Sequence, residues 1–593
     1  MNTKILKIRI SLCALMGIML FTLEGCRSDL LDTAPYNAVS SGNVWNRASL
    51  ATQVVTGVYS QVRNEYSGLN SNFPYWDNFS SNTDFHPAWI SYMNLLMGNA
   101  TPSSTHFTTV WKRYYEGIHR ANDVIANIDK VPDMSDALKA QYRAECTFLR
   151  AYFYYRLNTL YRGVPIYLEP VNAADCTNGR ASEQEVWNTI LADLTDCINE
   201  PNLKNKYASN ESDFGRVTKG AAYSLRGKVY LWLKDWAKAE QDFRAVTTLG
   251  FSLFSDYKAL FKEANERCDE MIFSVQAIAE NGLHTCINVY YGNRMTPGTW
   301  GYNAIIIDDA FVESHECADG KKFNWDDYLP GYSSMSPNAR SVFFLRNNMT
   351  EAEITTMTNY GADMSQYLPD GNEERIKAIY ENRDPRLALN VITPYATFFG
   401  GVTGTGIYYT LRWPYRGYDD RDPFDIRTDT NSQFYYLGRK FVPEAREVLD
   451  YICPIDIPLI RYADVLLNLA EALNEQGKTD EAIALVNQVR ARVDAQLLNS
   501  NSYTTVTGQA DMRERIRNER YWELAFEEHT YFDELRWGTW KEKKFFPGSG
   551  LKQIWGTATY SYNWVGDHLW VWPIPATEMQ MNANLTQNQG WVN

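Results

Sequence analysis

Helical periodicity of the apolar positions dominates two long blocks of the chain. The first block runs from about residue 43 to residue 249, and the second from about 458 to 540. Apolar residues spaced three and four positions apart predict amphipathic helices that pack on a common core. Stretches rich in Gly, Asn, Pro and aromatic residues, with weak periodicity, lie at 67–109, 284–360 and 394–454. The pattern predicts a mainly helical fold with long irregular insertions, and such insertions usually carry function.

Two segments have the residue spacing of a tetratricopeptide helix pair. In 219–250 the matching positions are Tyr223, Gly227, Tyr230, Ala239 and Phe243. In 461–493 the equivalent positions are Leu466, Leu469, Ala470, Ala482 and Val486. Further helices are predicted at 111–129, 138–161 and 183–199. One pair cannot bury its own apolar face, so about three or more pairs are expected to stack. The alternative is a set of ordinary antiparallel helix hairpins.

The amino terminus has the pattern of a bacterial lipoprotein signal. Basic residues precede an almost wholly apolar run at 10–22, which is too short to span a bilayer as a helix. Small Gly25 is followed by Cys26, which predicts a lipidated thiol at the first residue of the mature chain. Acyl chains would hold the protein on a membrane, because each buried CH₂ contributes roughly 0.8 kcal/mol. The alternative is an ordinary signal peptide that contains a cysteine.

Composition adds two constraints on the ligand. The net charge of −14 argues against nucleic acid, since phosphate binding needs a basic face. Aromatic residues make up 14% of the chain, with 18 Trp and 39 Tyr, which is enough for a core and for exposed rings that stack on sugars. The cysteines beyond residue 26 include no C-x-x-C pair, so the sequence indicates neither a zinc site nor a disulfide framework.

No catalytic motif is evident in the chain. H-E-x-x-H, G-x-S-x-G and P-loop patterns are missing, and the glycines of 401–406 have no strand-then-helix setting. Acidic pairs occur at 308–309, 326–327 and 419–420. Adjacent side chains diverge and cannot face each other across a sugar, so solvated loops or an incidental calcium site are the better interpretations. We therefore expect a binding protein that is not an enzyme and needs no cofactor and no metal.

Charged residues alternate at helical spacings in a late segment of the chain. They are Arg517, Glu519, Arg520, Glu523, Glu527 and Glu528. This spacing predicts a salt-bridged helix face, whose pairs contribute under ~1 kcal/mol each when exposed. His529, which follows them, is interpreted as a packed structural residue.

Five segments of the chain contain recognisable motifs, in order: Arg143–Ile166, Gly215–Leu231, Glu381–Leu387, Ile516–Gly538 and Trp572–Trp591. Together they resemble motifs of the SusD/RagB family, the surface glycan-binding lipoproteins of Bacteroidetes. The resemblance covers nearly the whole mature chain. Two positions depart from the motifs, because Arg162 and Glu528 stand where the family commonly has glycine.

The resemblance implies an all-α, SusD-like fold of about four tetratricopeptide-like helix pairs, with the insertions gathered on one face. It implies a signal peptide at 1–25 and a single domain at 26–593, with an N-terminal region of about 26–250, a central insertion of about 284–454 and a C-terminal SusD/RagB region of about 300–593. The implied role is a lipid-anchored outer-membrane protein that faces outside, captures a glycan and acts as the lid of a SusC-like TonB-dependent transporter. A peptide-binding member of the RagB type and a structural lid without a ligand are the alternatives.

Candidate ligand contacts lie in two aromatic insertions, where the resemblance also implies ligand platforms. Flat rings stack on the C–H faces of sugars, while amide and guanidinium groups bind hydroxyls. The first insertion offers Trp76, Trp89, Tyr92 and Asn94, with Asp77 and Asn78. The second offers Tyr290, Tyr291, Asn293, Arg294 and Trp300, with Tyr302. Weaker candidates are Trp325 with Tyr328 and Trp413 with Tyr415.

Overall fold

The computed structural model describes most of the chain and confirms the mainly helical fold. The described residues are 44–63, 76–280, 282–296, 301–401, 406–417, 421–428, 430, 432–444 and 452–592. The α-helices within them are α1 Ala48–Arg63, α2 Asn94–Met97, α3 Thr105–Asn127, α4 Asp136–Tyr161, α5 Glu183–Asn199, α6 Lys219–Trp232, α7 Trp236–Thr247, α8 Tyr257–Leu260, α9 Ile287–Tyr291, α10 Asp309–Ser314, α11 Pro337–Arg340, α12 Glu351–Tyr360, α13 Asn372–Glu381, α14 Pro385–Asn390, α15 Tyr462–Glu475, α16 Thr479–Arg492, α17 Gln509–Glu523, α18 His529–Trp537, α19 Trp540–Lys544 and α20 Ala576–Met581.

Short strands form two-stranded sheets beside these helices. The strands are β1 Thr83–Phe85, β2 Met271–Val275, β3 Ile305–Ile307, β4 Val391–Ile392, β5 Thr397–Gly400, β6 Ile407–Thr410, β7 Leu437–Gly438 and β8 Ile457–Arg461. Within the described part of the chain, none of the helices combines the length and the apolar character that a membrane crossing requires.

The frame of the molecule is a continuous stack of helices. α3 packs on α4, α4 on α5, α5 on α6 and α6 on α7. α7 then packs on α15, although the central insertion separates them in sequence. An ion pair of 2.6 Å between Lys478 and Glu240 supports this contact at its edge. α15 pairs with α16, and α17 packs on both, so one apolar core runs through the stack.

Both predicted tetratricopeptide-like pairs are present, as α6 with α7 and as α15 with α16. A Cβ atom placed on Gly227 would lie 2.7 Å from the ring of Phe243, so the missing side chain sets the distance between α6 and α7. In the second pair, Ala482 and Val486 are fully buried against α15. The helix predicted at 183–199 matches α5 at both ends.

The central insertion leaves the helical frame and returns to it at one place. β2 and β8 pair antiparallel, with Val275 opposite Ile457, and both strands are wholly buried. A second antiparallel pair, β1 with β3, joins the first insertion to the central one and sets Phe85 opposite Ile305. The two insertions that the sequence singled out are thus held together by backbone hydrogen bonds.

The charged residues of α17 and its C-terminal flank form ion pairs, as predicted, but most of these pairs are buried. Of the six residues, Arg517 is partly exposed and the others, such as Glu523 and Glu527, are buried. Arg461, fully buried at the end of β8, donates hydrogen bonds to Glu270 at 2.7 Å, to Glu523 at 2.7 Å and to Glu527 at 2.6 Å. These buried ion pairs therefore connect β8, which follows the central insertion, to α17.

The two positions that depart from the family motifs have left-handed backbone, which explains the preference for glycine there. Arg162 has φ of 53° at the end of α4, and Glu528 has φ of 62° just before α18. A residue with a Cβ costs roughly 1–2 kcal/mol in this conformation. Contacts offset the cost, since Arg162 pairs with Glu183 at 2.9 Å and Glu528 accepts the backbone N–H of Trp76 at 3.3 Å.

Candidate functional site

Trp89 and Tyr302 meet at the surface beside the β1–β3 pair. The backbone N–H of His86 donates to the carbonyl of Ala304 at 2.9 Å, which extends the pairing by one residue on each strand. The ring centroids of Trp89 and Tyr302 are 5.7 Å apart with planes at 80°, an edge-to-face contact. Each ring is half-buried. Two segments far apart in sequence therefore supply one aromatic pair.

Trp89 and Tyr92 lie on the same side of a 3₁₀ helix, Pro87–Tyr92. With three residues per turn, positions i and i+3 of such a helix are eclipsed, which places residues 89 and 92 on one side of it. The proline begins the helix, and His86 Nδ1 accepts the N–H of Ala88 at 3.2 Å. Tyr92 is 70% exposed. Local backbone geometry therefore aligns these two aromatic side chains.

His86 is a part of this arrangement that sequence reasoning passed over. Its ring lies 4.7 Å from that of Trp89 and is buried beneath it. The signal that could have found it is its place directly before Pro87, where a polar side chain commonly caps a helix. His86 supports the position of Trp89.

Arg294 and Tyr290 complete the surface from the central insertion. The guanidinium carbon of Arg294 lies 5.2 Å from the centroid of the Tyr302 ring. The N–H of Tyr302 donates to the carbonyl of Val289 at 2.8 Å, which holds this ring against α9. Burial raises the pKa of Tyr290 to about 12, so its phenol stays protonated at neutral pH. The aromatic ledge is the set Trp89, Tyr92, Tyr290, Arg294 and Tyr302.

Three other predicted contact residues lie inside the protein, and the structure contradicts their assignment to a ligand. Trp76 is fully buried against the rings of α18. Tyr291 is fully buried and donates its hydroxyl to the carboxylate of Asp77 at 2.7 Å. Asn293 is fully buried, and its Oδ1 accepts the N–H of Met295 at 2.8 Å, which shapes the loop that carries the ledge. Their physical role is to fix the insertions on the frame.

Asp77 is the main link of this internal anchor. One carboxylate oxygen accepts the Tyr291 hydroxyl, and the other accepts the N–H of Glu528 at 3.1 Å. Burial raises the pKa of Asp77 to about 6, although both hydrogen bonds act in the opposite direction. Asp77 and Asn78 are both buried, so neither is a hydroxyl partner at the surface.

The remaining candidates divide into three groups. Asn94 is half-buried at the start of α2 and stays a predicted contact. Trp300 and Cys26 lie outside the described residues. Trp325 is buried and stacks on a neighbouring tyrosine at 4.8 Å, so it belongs to the core of the insertion. Trp413 is half-buried and packs on Phe434 at 5.7 Å.

Asp308 and the flanks of the glycine-rich stretch have structural roles, whereas the acidic pair at 419–420 lies outside the described residues. Asp308 accepts the N–H groups of Ala310 and Phe311 and caps α10. The glycine-rich stretch joins β5 to β6, so its flanks form a hairpin rather than the strand-to-helix turn of a nucleotide site. Across the described ranges, no group of three or more His, Cys, Asp or Glu side chains is placed to hold a metal ion.

Fold and ledge together define a helical-repeat protein whose aromatic surface is built on insertions. The sequence profile of the SusD family matches residues 269–591, and a profile described as starch-binding associating with outer membrane matches residues 29–231. The chain therefore belongs to the SusD family.

Relatives of known sequence match most of the chain. It is 23% identical over 533 residues to SusD-like protein P25 of Formosa agariphila, covering 88% of each chain. It is 23% identical over 529 residues to the starch-binding protein SusD of Bacteroides thetaiotaomicron, covering 83% of this chain and 80% of that protein.

Solved structures share the fold. A SusD-like carbohydrate-binding protein from Bacteroides fragilis superposes with a TM-score of 0.68 at 23% identity, covering 92% of this chain and 100% of that one. A laminarin-binding SusD-like protein superposes with a TM-score of 0.62 at 22% identity, with the same coverage.

Proposed function

We propose that the protein binds a glycan on the aromatic ledge and does not cleave it. The observation that carries the proposal is the aromatic surface formed by half-buried Trp89 and Tyr302 with exposed Tyr92 where the two insertions meet. A sugar ring lying on one of these side chains places its C–H face on the aromatic face, and Arg294 and Tyr290 supply hydrogen-bond donors for its hydroxyls. Membership of the SusD family, and relatives described as starch-binding and laminarin-binding, support this choice of ligand.

Binding on such a surface is expected to be weak at each ring and cumulative along a polymer. By analogy with aromatic pairs, one stacked ring contributes about 0.5–1.5 kcal/mol beyond burial. That corresponds to roughly twofold to tenfold in affinity for each ring. A contact of this strength suits capture followed by release.

The ledge does not offer the groups that hydrolysis needs. Glycoside hydrolysis uses two carboxyl groups about 5–10 Å apart on either side of the bond that breaks. None of the side chains that define the ledge is a carboxylate. A binding role therefore fits this surface better than a catalytic one.

The test uses protein that lacks residues 1–26. Retardation in native gels containing soluble starch, laminarin, xylan, α-mannan or pectic galactan screens for a ligand, and calorimetry measures affinity. We expect Trp89→Ala to weaken binding about fivefold and the double variant with Tyr302→Ala to weaken it further. Tyr503→Ala is the matched control, because Tyr503 is 50% exposed in the connection between α16 and α17.

Two outcomes would count against the proposal in different ways. If none of the polysaccharides binds, and a peptide digest does, the peptide-binding alternative replaces the glycan. If a glycan binds and the Trp89 and Tyr302 variants keep full affinity, the protein binds sugar at another place and the ledge is not the site.

We propose in addition that lipidated Cys26 anchors the protein to the outer membrane and that it acts there as the lid of a SusC-like TonB-dependent transporter. Family membership and the lipoprotein signal support this role. Replacing Cys26 with Ala should move the protein from the membrane fraction to the soluble fraction. Affinity purification of tagged protein from detergent extracts of the native host should recover a TonB-dependent transporter, and recovery of none would contradict the lid role.

A further inference from the structure

The β5–β6 hairpin exposes an aromatic pair outside the ledge. The two strands pair antiparallel with Phe399 opposite Tyr408, and the ring centroids of these residues are 4.7 Å apart. Phe398 and Tyr409, on the opposite face, are buried in the core. Side chains alternate between the faces of a strand, so burial of one pair forces the other pair outward. Tyr408 is 66% exposed as a result.

The position of the Phe399 ring depends on a glycine. A Cβ atom placed on Gly406 would overlap the Phe399 ring, so the ring lies across the backbone at the start of β6. The missing side chain therefore leaves room for the Phe399 ring beside Tyr408, where the two rings form one platform.

The hairpin is continuous with the loop that carries the ledge. The N–H of Gly401 donates to the carbonyl of Met295 at 2.9 Å, and a Cβ on Gly400 would overlap the same carbonyl. Met295 directly follows Arg294, whose guanidinium lies on Tyr302. Two glycines thus allow close backbone contact between the hairpin and the ledge loop.

We propose that Phe399 and Tyr408 form a second stacking subsite, so that the protein holds a glycan long enough to reach from the ledge to the hairpin. This inference rests on the proposed glycan-binding function. The outward face of the hairpin consists of Thr397, Phe399, Tyr408 and Thr410. Hydroxyls and rings without a formal charge match a neutral sugar chain, whose rings stack and whose hydroxyls hydrogen-bond.

The subsite predicts a dependence on ligand length. Tyr408→Ala should weaken binding of the polysaccharide by about three- to tenfold and leave binding of the disaccharide from the same polymer unchanged. Trp89→Ala should weaken both, because a short ligand occupies the ledge alone. The probe is whichever of soluble starch, laminarin, xylan, α-mannan or pectic galactan retards the wild-type protein in gels, with its oligosaccharide series measured by calorimetry.

Controls separate the subsite from a general loss of structure. Tyr408→Phe keeps the ring and should retain the affinity for the polysaccharide. Since Tyr408 is exposed, Tyr408→Ala should unfold at the wild-type denaturant midpoint. Tyr503→Ala, which removes an exposed ring elsewhere, should bind both ligands normally.

Each other outcome overturns the inference. Full affinity of Tyr408→Ala for the polysaccharide excludes the hairpin as a subsite while the proposed function stands. If Tyr408→Ala loses the same fold affinity for disaccharide and polysaccharide, the ligand occupies one short site instead of two subsites. If Tyr408→Ala keeps its glycan affinity but recovers less of the co-purifying transporter, the hairpin contacts a protein partner instead of the glycan. No retardation of the wild type by any of the five polysaccharides overturns the proposed function and this inference with it.

Discussion

Arg461→Met should destabilise the protein strongly, because it leaves a buried negative charge without compensation. In the structure three buried carboxylates face three buried cations. The carboxylates are Glu270, Glu523 and Glu527, and the cations are Arg461, Arg492 and Lys440. A further buried cation, Arg386, lies 3.6 Å from Glu523 and links this group to Asp384 and Glu519. Loss of Arg461 removes one positive charge from this buried network, so its carboxylates are left with less compensation.

The expected loss follows from what remains around each carboxylate. Glu270 keeps Arg492 at 3.0 Å, and Glu527 keeps Lys440 at 2.5 Å. Glu523 keeps Arg492 and also Arg386, which lies 3.6 Å away, so no carboxylate loses its last partner. The cost is therefore that of one broken buried ion pair, about 3–5 kcal/mol, rather than three times that amount. Methionine fills much of the space of the arginine stem, so a cavity adds little.

Urea denaturation followed by tryptophan fluorescence would measure the loss as a lower midpoint at an unchanged slope. Two control variants calibrate the size of this loss of stability. Arg513→Met breaks a partly exposed ion pair with Glu475 and should cost less than about 1 kcal/mol. Adding Glu527→Gln to Arg461→Met removes one negative charge as well and should recover part of the loss, which a double-mutant cycle quantifies.

The pH dependence provides an independent check. In Arg461→Met an uncompensated carboxyl has a folded-state pKa above its unfolded value, so it favours folding below the unfolded pKa and loses that contribution as the pH rises. The free energy of unfolding that Arg461→Met loses relative to wild type should thus be larger near pH 8 than near pH 5. A loss below about 1 kcal/mol, or a deficit that grows on acidification, would refute the charge-balance reasoning.

Three further predictions follow from single side chains. Gly227→Ala should cost about 1–3 kcal/mol of stability by overpacking the contact between α6 and α7. In the same denaturation assay Gly57→Ala should be neutral or stabilising, because the atom nearest to its added Cβ would be 3.9 Å away. Equal effects of the two substitutions would contradict the argument that α6 and α7 need a glycine to approach closely. Burial raises the pKa of Glu534 to about 8, so the wild type loses stability as the pH rises from about 4.5 through 8. Glu534→Gln should remove that loss, so the stability of the variant minus that of the wild type should be at least about 1 kcal/mol larger at pH 8.5 than at pH 5. An equal stability difference at both pH values would count against this role of Glu534. Tyr291→Phe removes the hydrogen bond to Asp77 and should cost about 1.5–3 kcal/mol of stability without changing the glycan affinity. If calorimetry instead shows a loss of glycan affinity at unchanged stability, Tyr291 contacts the ligand.

The helical frame was predictable because its signals are local. Periodic apolar positions within one segment define a helix face, and small residues such as Gly227 mark where a neighbouring helix comes close. A capping box at Ser182 and Glu185 begins α5 at the predicted residue. None of these signals depends on a distant part of the chain.

The candidate site was predictable only in part. The sequence located both aromatic insertions, and Trp89, Tyr92 and Tyr302 lie at the surface as expected. Trp76 and Tyr291, in the same insertions, point into the core. In irregular segments no repeat determines which way a ring faces, so exposed and anchoring rings have the same appearance in sequence.

The β5–β6 hairpin carries a local signal that the sequence analysis did not use. Aromatic runs flank the glycines of 401–406, and paired aromatic runs around a glycine-rich turn are typical of a hairpin. What the sequence could not supply is the contact with the carbonyl of Met295, which joins the hairpin to the ledge.

The sequence by itself determined the helices, their pairing within repeats and the location of the aromatic insertions, because residues within one turn or one hairpin interact through short stretches of chain. Only the tertiary structure decided which rings face solvent and which charges are buried. Arg461 neutralises Glu523 inside the protein because β8 ends beside α17, and that juxtaposition depends on long-range packing. Burial is a property of the whole fold, so a local pattern of charge or aromaticity leaves it undetermined.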